Sequence, residues 1–126
     1  MALVLVAGKQ IQVNESDWDV NTAMQVQQGD TLIFQAWGSI WAGVWFTGTN
    51  GPPGWNNIDN DPKFPLPGSH PYCLLGKLDT GYFYVGAYHR MDQTPDQGPL
   101  FLRINDDVPG NGSGAFQCLV QVYRNQ

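Results

Sequence analysis

The side chains best suited to chemistry lie in one segment, Arg103-Ile-Asn-Asp-Asp-Val-Pro-Gly-Asn-Gly-Ser-Gly-Ala-Phe116. Adjacent carboxylates, Asp106 and Asp107, are followed closely by the amide of Asn111. The Gly and Pro residues among them favour sharp backbone turns. Several oxygens aimed at one point suit a hard cation such as Ca²⁺, and they also suit sugar hydroxyls. The segment is therefore the candidate functional loop.

The adjacent acids of this loop have two interpretations. Like charges at short range disfavour joint ionisation of Asp106 and Asp107, and a bound dication would relieve that cost. Alternatively, one carboxylate points to solvent while the other caps the following turn. Asn105 is likewise either a further ligand or a residue that bonds the backbone.

Strand signals must supply the scaffold, because no sustained helical spacing of apolar residues occurs. Short apolar runs recur instead between Gly, Pro and Asn residues. This pattern predicts an all-β protein, an antiparallel β-sandwich or jelly roll of about eight strands, in a single domain, residues 1–126. The predicted strands are Ala2–Val6, Gln10–Val13, Thr22–Gln27, Thr31–Trp37, Tyr72–Leu78, Tyr82–Tyr88, Pro99–Ile104 and Ala115–Tyr123.

Two short turns are predicted to form hairpins. Gln28-Gly-Asp30 separates the third and fourth predicted strands, and Asp79-Thr-Gly81 separates the fifth and sixth. Both contain the Gly and Asp residues that tight turns prefer.

A long segment from about residue 38 to residue 71 shows no clear strand and is rich in Pro, Asn and Asp. Structureless stretches of this length are usually functional or disordered. Trp41, Trp45 and Trp55 lie within it, so we expect a packed loop that forms one wall of a binding site. These Trp rings either stack on a sugar or are buried, and we expect at least one to be exposed. The polar run around Asn57 either contacts sugar or forms turns.

Composition narrows the classes of ligand. The net charge is −5 with only six Lys and Arg, so binding to nucleic-acid phosphates is not expected. Charged residues make up 13% of the chain, about half the usual ~25%, while aromatic residues are abundant. Such a surface favours a neutral polar ligand, and carbohydrate is the obvious class, although many of these aromatic residues should fill the core.

The cysteines and the N-terminal segment indicate the cellular compartment in which the protein is made. Cys73 and Cys118 lie in separate predicted strands and either pair or stay as buried thiols. The apolar start, Met1–Gly8, is too short for a secretory signal or a membrane span and reads as a strand. We expect cytoplasmic synthesis without a cleaved signal peptide and no membrane insertion, with later release or surface association left open.

A set of short motifs resembles one protein family. The motifs, in order, are Gly29-Asp30, Ala36-Trp-Gly38, Pro65-Leu-Pro-Gly68, Leu74-Leu-Gly-Lys-Leu78, Val85-Gly86, and Leu100-Phe-Leu-Arg-Ile-Asn-Asp106 with the following Val-Pro-Gly and Asn-Gly-Ser-Gly-Ala-Phe. Together they span roughly residues 22–122. In this order they resemble the LecA (PA-IL)-like calcium-dependent galactose-binding lectins of bacteria.

The resemblance implies a galactose-binding-domain-like sandwich in which Ca²⁺ is the cofactor and is coordinated directly by sugar hydroxyls. One position departs from the family, since Gly112 stands where a second side-chain ligand is expected. Asp107 could replace that ligand. The resemblance implies that Asp106, Asn111 and the backbone carbonyl of Trp41 are metal ligands, with Asp107 as the candidate replacement, and that Asp106 and Asn111 also contact the sugar. Val108, Trp55 and Asn57 are further candidate sugar contacts, with Trp55 chosen for ring stacking and Asn57 for its polar neighbours.

These observations predict a non-catalytic lectin that recognises galactose-like sugars through calcium. Because single sugar sites are weak, a homo-oligomer, either a dimer or a tetramer, is also expected. The alternative is a structural or interaction module of a larger bacterial assembly that keeps the fold but has lost calcium and sugar binding. An enzyme is not expected, because no nucleophile motif accompanies His89 and adjacent Asp residues do not face each other across a cleft.

Overall fold

The computed structural model describes residues 2–126 and confirms an all-β sandwich. No helix among these residues is long and apolar enough to cross a membrane. The described residues form nine strands: β1 (Leu3–Asn14), β2 (Val20–Val26), β3 (Thr31–Trp41), β4 (Thr49–Asn50), β5 (Leu74–Leu78), β6 (Gly81–Tyr84), β7 (Tyr88–Met91), β8 (Gly98–Ile104) and β9 (Ser113–Asn125).

The strands form two antiparallel sheets that enclose one core. The five-stranded sheet has the order β1-β9-β3-β4, with β7 also paired to β3, and the four-stranded sheet has the order β2-β8-β5-β6. Alternate residues of each strand face inward, as the period of two requires. Phe34 and Phe116 of the first sheet and Leu100 and Leu102 of the second are fully buried in this core.

The strands differ from the predicted ones in three respects. The first is that β3 continues to Trp41 and β4 lies within the segment, residues 38–71, that was predicted to lack strands. The segments Ala2–Val6 and Gln10–Val13 belong to one strand, β1, which passes through a register shift between Leu5 and Ala7. The predicted strand Tyr82–Tyr88 is instead divided between β6 and β7, which lie in different sheets. Gly86 lies between them with a positive φ of 67°, a conformation that ends a strand and that glycine adopts at low cost.

Only one of the two predicted hairpins exists. Residues 79–81 join β5 and β6, in which Leu78 pairs with Gly81, so this hairpin is confirmed. The prediction for residues 28–30 was wrong, because β2 and β3 belong to different sheets and the turn crosses the sandwich. Asp30 does cap that turn by accepting the backbone N–H of Gln27 at 2.8 Å. Local turn chemistry does not specify which sheet each strand joins.

The candidate loop lies at one end of the sandwich. It connects β8 and β9, which belong to opposite sheets. In the five-stranded sheet, β9 pairs Ala115 with Asn14 at the end of β1 and Ser113 with Trp41 at the end of β3. The ends of these four strands therefore meet where the functional residues were predicted.

Both cysteines are free and buried. Burial raises the pKa of the Cys73 and Cys118 thiols to about 12. The thiols are therefore protonated at neutral pH and act as small apolar groups of the interior.

The buried ion pair of Asp30 and Arg124 gives the first testable prediction. Arg124 donates to both oxygens of the Asp30 carboxylate, at 2.8 Å and 2.9 Å. Asp30→Asn should lower the free energy of unfolding in urea by about 3 kcal/mol, because one partner of a buried pair is lost. Asp92→Asn, which breaks the exposed pair with Arg90, should cost less than about 1 kcal/mol. Equal losses would contradict this assignment.

The same pair predicts a pH dependence. Burial alone would raise the pKa of Asp30, but Arg124 and the Gln27 N–H outweigh it and hold the pKa below its usual 3.8. A lowered pKa in the folded state adds stability above the unfolded value, and that stability is lost as pH falls through the folded pKa. Unfolding in urea should show wild type losing this advantage over Asp30→Asn below about pH 4.

Candidate functional site

Asn105 anchors the start of the candidate loop. Its buried side-chain amide donates to the carbonyls of Leu66 and His70, at 3.3 Å and 3.0 Å, and its Oδ1 accepts the Leu66 N–H at 3.0 Å. Both polar ends of the side chain are therefore engaged by the long loop that precedes β5. Asn105 therefore hydrogen-bonds to the backbone, which was one of its two predicted roles. The backbone groups it contacts belong to Leu66 and His70, which are distant in sequence.

Asp106 follows and is nearly inaccessible, with 2% of its surface exposed. Its Oδ1 accepts the backbone N–H of Val108 at 3.3 Å, the capping arrangement of a short turn. Its Oδ2 is buried and accepts no hydrogen bond from the described residues. A carboxylate in this position has an unused coordination site.

The environment of Asp106 disfavours its negative charge. Burial is the largest cause and raises its pKa to about 7, and the carboxylates of Asp107 and Glu15 add to the rise. The hydrogen bond from the Val108 N–H acts in the opposite direction but is outweighed. A nearby cation would reverse this balance, because it stabilises the ionised form.

A residue that the sequence analysis did not select, Glu15, supports the loop from the other side. It directly follows β1 and is 1% exposed. Its Oε1 accepts the backbone N–H groups of Gly110 and Gly112, at 3.1 Å and 3.0 Å. Its Oε2, like the Oδ2 of Asp106, is buried without a partner among the described residues. The only sequence signal was that Glu15 is the single glutamate of the chain.

The carbonyl of Trp41 meets the loop at Gly112. The carbonyl oxygen lies 1.7 Å from the point where a Cβ on Gly112 would be. Two residues after Trp41, a Cβ on Gly43 would likewise lie 2.6 Å from the carbonyl oxygen of Asn111. The two segments, residues 41–43 and 110–112, therefore pack backbone against backbone. A side chain therefore does not fit at position 112, where the resemblance led us to expect a ligand.

The other predicted ligands lie on the rim. Asp107 is partly exposed, and its Oδ2 is 4.0 Å from the Nζ of Lys63. Val108 and Asn111 are exposed. The structure thus brings Trp41 and Asn111 to one place, with Asp106 and Asp107 at the start of the same loop.

Exposed aromatic rings lie on the neighbouring long loop. Trp45 is 85% exposed and contacts Phe46 edge to face at a centroid distance of 5.7 Å. Phe46 in turn contacts Trp55 at 5.8 Å. Trp55 is partly buried against the core, whereas Asn57 is exposed. Within residues 2–126, no hydrogen bond joins Trp55 or Asn57 to residues 105–112. Trp45 is therefore the most accessible of the three loop Trp rings.

Acidic and histidine side chains alone do not form a metal centre. In the part of the chain that the structure describes, no three His, Cys, Asp or Glu side chains are grouped to hold an ion. Calcium accepts backbone carbonyls, side-chain amides and water as ligands beside carboxylates. Ca²⁺ at this loop would therefore depend on the Trp41 carbonyl and the Asn111 amide as well as on the acids.

His89 is part of the packing. It lies on β7 with its ring 6.1 Å from that of Phe34 and 6.0 Å from that of Phe83. Burial lowers its pKa, so the ring is neutral at physiological pH.

Comparison with known proteins identifies the architecture. No protein-family model and no curated protein matches the sequence. Among solved structures, the chain is similar to one described as "EclA N-terminal domain; PllA-like lectin", with a TM-score of 0.67 and 21% sequence identity. The alignment covers 96% of this chain and 98% of that one. At this level of identity, the likeness shows a shared fold across the whole domain.

The close approach at Gly112 can be tested by adding a methyl group. Gly112→Ala should lower the free energy of unfolding by about 3 kcal/mol, because the new Cβ would overlap the Trp41 carbonyl and separate the two segments. The matched control is Gly8→Ala, whose Cβ would have its nearest neighbour at 3.9 Å. Equal stability of the two variants in urea would show that the segments do not pack in this way.

Proposed function

We propose that this chain is a non-catalytic lectin that binds a neutral, galactose-like sugar through Ca²⁺. The observation that carries the proposal is the pair of buried, unpartnered carboxylate oxygens, Glu15 Oε2 and Asp106 Oδ2, beside one loop. The fold shared with a PllA-like lectin domain supports it. So does the low share of charged residues, 13%.

The donor set fits a calcium ion. Each buried polar oxygen without a partner costs about 1–3 kcal/mol, and more when it is charged. A dication at the loop would complete the coordination of Asp106 and offset its repulsion with Asp107 and Glu15. Carboxylate, amide and carbonyl oxygens are the ligands that calcium prefers.

Particular residues would then hold the ion and the sugar. Asp106, Asn111 and the Trp41 carbonyl would hold calcium, with Asp107 or water in place of the ligand that Gly112 lacks. The bound ion supplies a direct attachment point for two neighbouring sugar hydroxyls. Asp106 and Asn111 orient those hydroxyls by hydrogen bonds, and Val108 contacts the sugar from the rim.

Aromatic stacking would add to the affinity. Trp45 presents its ring to solvent on the loop that begins beside Asn111, so it can cover the apolar face of a sugar ring. Trp55 supports this position through Phe46, and Asn57 is free to contact a second sugar unit.

A homo-oligomer would use the outer face of the five-stranded sheet. Amides pair across this face, with Gln117 donating to Gln12 at 2.9 Å, and Arg90 is a charged residue on it. Four neighbouring strands of about 11 residues form a face about 36 Å long and 19 Å wide. Its area, roughly 700 Å² per partner, is close to that of a standard interface. The partner best suited to this face is a second copy of the chain. Each copy has a net charge of −5, and at this face the two could meet with few like charges opposite each other.

The sugar and calcium sites are tested together by calorimetric titration with Ca²⁺, and with galactose in calcium or EDTA. Asp106→Asn should lower calcium affinity at least about 100-fold, a loss of roughly 3 kcal/mol, and abolish galactose binding. The variant should still fold, because it replaces a destabilised buried charge by a neutral group of equal size.

The control for that experiment is Asp61→Asn, which removes the same charge from an exposed side chain. It should leave both affinities within about twofold. Wild-type protein that binds neither calcium nor any sugar on a glycan array would favour the alternative, a structural module. Sugar affinity retained by Asp106→Asn would rule out coordination through this residue.

The oligomer face has its own matched pair of variants. Gln35→Glu places a charge on the outer face of β3, and Gln25→Glu places the same charge on exposed β2 of the other sheet. Sedimentation should show that only Gln35→Glu weakens self-association, because its charges would face each other across the interface. Identical behaviour of both variants would exclude this face.

A further inference from the structure

A second cluster of polar and aromatic side chains lies on the outer face of the four-stranded sheet. Lys77 on β5 and Tyr82 on β6 are register partners, and Arg103 on β8 is adjacent to them across the sheet. Trp18 and Asp19, from the connection between β1 and β2, lie over these strands. Among the described residues, the cluster touches the candidate loop only where Arg103 Nη2 donates to the backbone carbonyl of Asp106 at 3.5 Å, and none of its side chains is used in the function proposed above.

Positive charge exceeds negative charge in this cluster. Asp19 accepts hydrogen bonds from Tyr82 Oη at 2.6 Å and from Lys77 Nζ at 3.2 Å, and Arg103 Nη1 lies 3.9 Å from it. Two cations thus share one carboxylate, whose two oxygens are both occupied. The neighbouring Asp17 instead accepts the backbone N–H of Asn14 at 2.8 Å. One positive charge remains uncompensated on a chain whose net charge is −5.

The guanidinium of Arg103 is held in a fixed orientation. It lies 4.7 Å from the centroid of the Trp18 ring and 5.9 Å from that of Tyr82, and it donates to Tyr82 Oη at 3.2 Å. Its Nε is buried without a partner among the described residues. Its Nη2 donates to the Asp106 carbonyl at 3.5 Å and its side chain is only 12% exposed, so Arg103 contributes positive charge from beneath the surface. The Lys77 side chain is 37% exposed and is the cation that an acidic group can contact directly.

The exposed ring beside these cations indicates the rest of the ligand. Trp18 is 58% exposed although it contacts Arg103 on one side. An exposed indole next to hydrogen-bonding groups can cover the apolar face of a pyranose ring, while the cations bind an acidic substituent.

We infer that Trp18, Lys77, Tyr82 and Arg103 form a second, metal-independent binding site for a sugar that carries a carboxylate or a sulfate. Lys77 and Arg103 provide the charge, Tyr82 and Asp19 fix their positions, and Trp18 covers the ring. The site differs from the candidate loop in the charge of its ligand and in needing no metal, so its binding can be measured separately.

The test is an NMR titration of the indole N–H signals in EDTA at low salt. Five Trp residues give five signals, and a Trp18→Phe variant identifies that of Trp18. Glucuronate or glucose 6-sulfate should shift the Trp18 signal in a saturable way, and which of them binds identifies the acid. Glucose should not shift it at the same concentration. Equal shifts with glucose, or with inorganic sulfate, would overturn the inference.

A matched pair of charge variants tests the residues. Lys77→Gln should weaken binding of the acidic sugar at least fivefold, whereas Lys9→Gln, which removes the same charge from exposed β1, should change it less than twofold. Both side chains lie on the surface, and unchanged thermal unfolding would show that both variants fold. Equal effects of the two substitutions would overturn the site. Because all measurements are made in EDTA, failure of the calcium proposal would not affect the result.

Discussion

The burial of two carboxylates at one end of the sandwich is the constraint on which the candidate site depends. Glu15 holds the loop through the N–H groups of Gly110 and Gly112, so its carboxyl group is fixed in the interior. Asp106 begins the same loop with an oxygen that no described residue satisfies. Protein interiors tolerate such groups when a partner offsets the loss of water. A cation is the partner that would satisfy Asp106 and reduce its repulsion with Glu15, and the proposed function rests on this requirement.

The sandwich supplies the geometry that sequence neighbours could not. β1, β3 and β8 end where β9 begins, which brings Glu15, Trp41 and the 105–112 loop to one place. Asn105 then ties this loop to the long segment before β5, and that segment carries the exposed ring of Trp45. Arg103 connects the candidate loop to the outer face of the four-stranded sheet. Its Nη2 lies 3.5 Å from the Asp106 carbonyl, while its guanidinium contacts Trp18.

Much of the fold was accessible from sequence, because alternation and turn residues are local signals. The all-β sandwich and the hairpin at residues 79–81 were predicted correctly. The supposed hairpin at residues 28–30 was wrong because turn chemistry does not reveal the sheet to which the next strand belongs. Asp106 stood out because it lies in a cluster of oxygen-bearing residues. Glu15 could not be found in this way, since its contact with residues 95 and 97 positions later depends on the folded sandwich.

The proposed calcium site is tested most directly by a crystal structure of the protein grown with Ca²⁺, in which the anomalous scattering of calcium locates the ion. We expect one strong anomalous peak within coordination distance of Asp106 Oδ2 and the Trp41 carbonyl, with Asn111 in the coordination shell. An empty loop, or a peak at another group of oxygens, at millimolar calcium would contradict it.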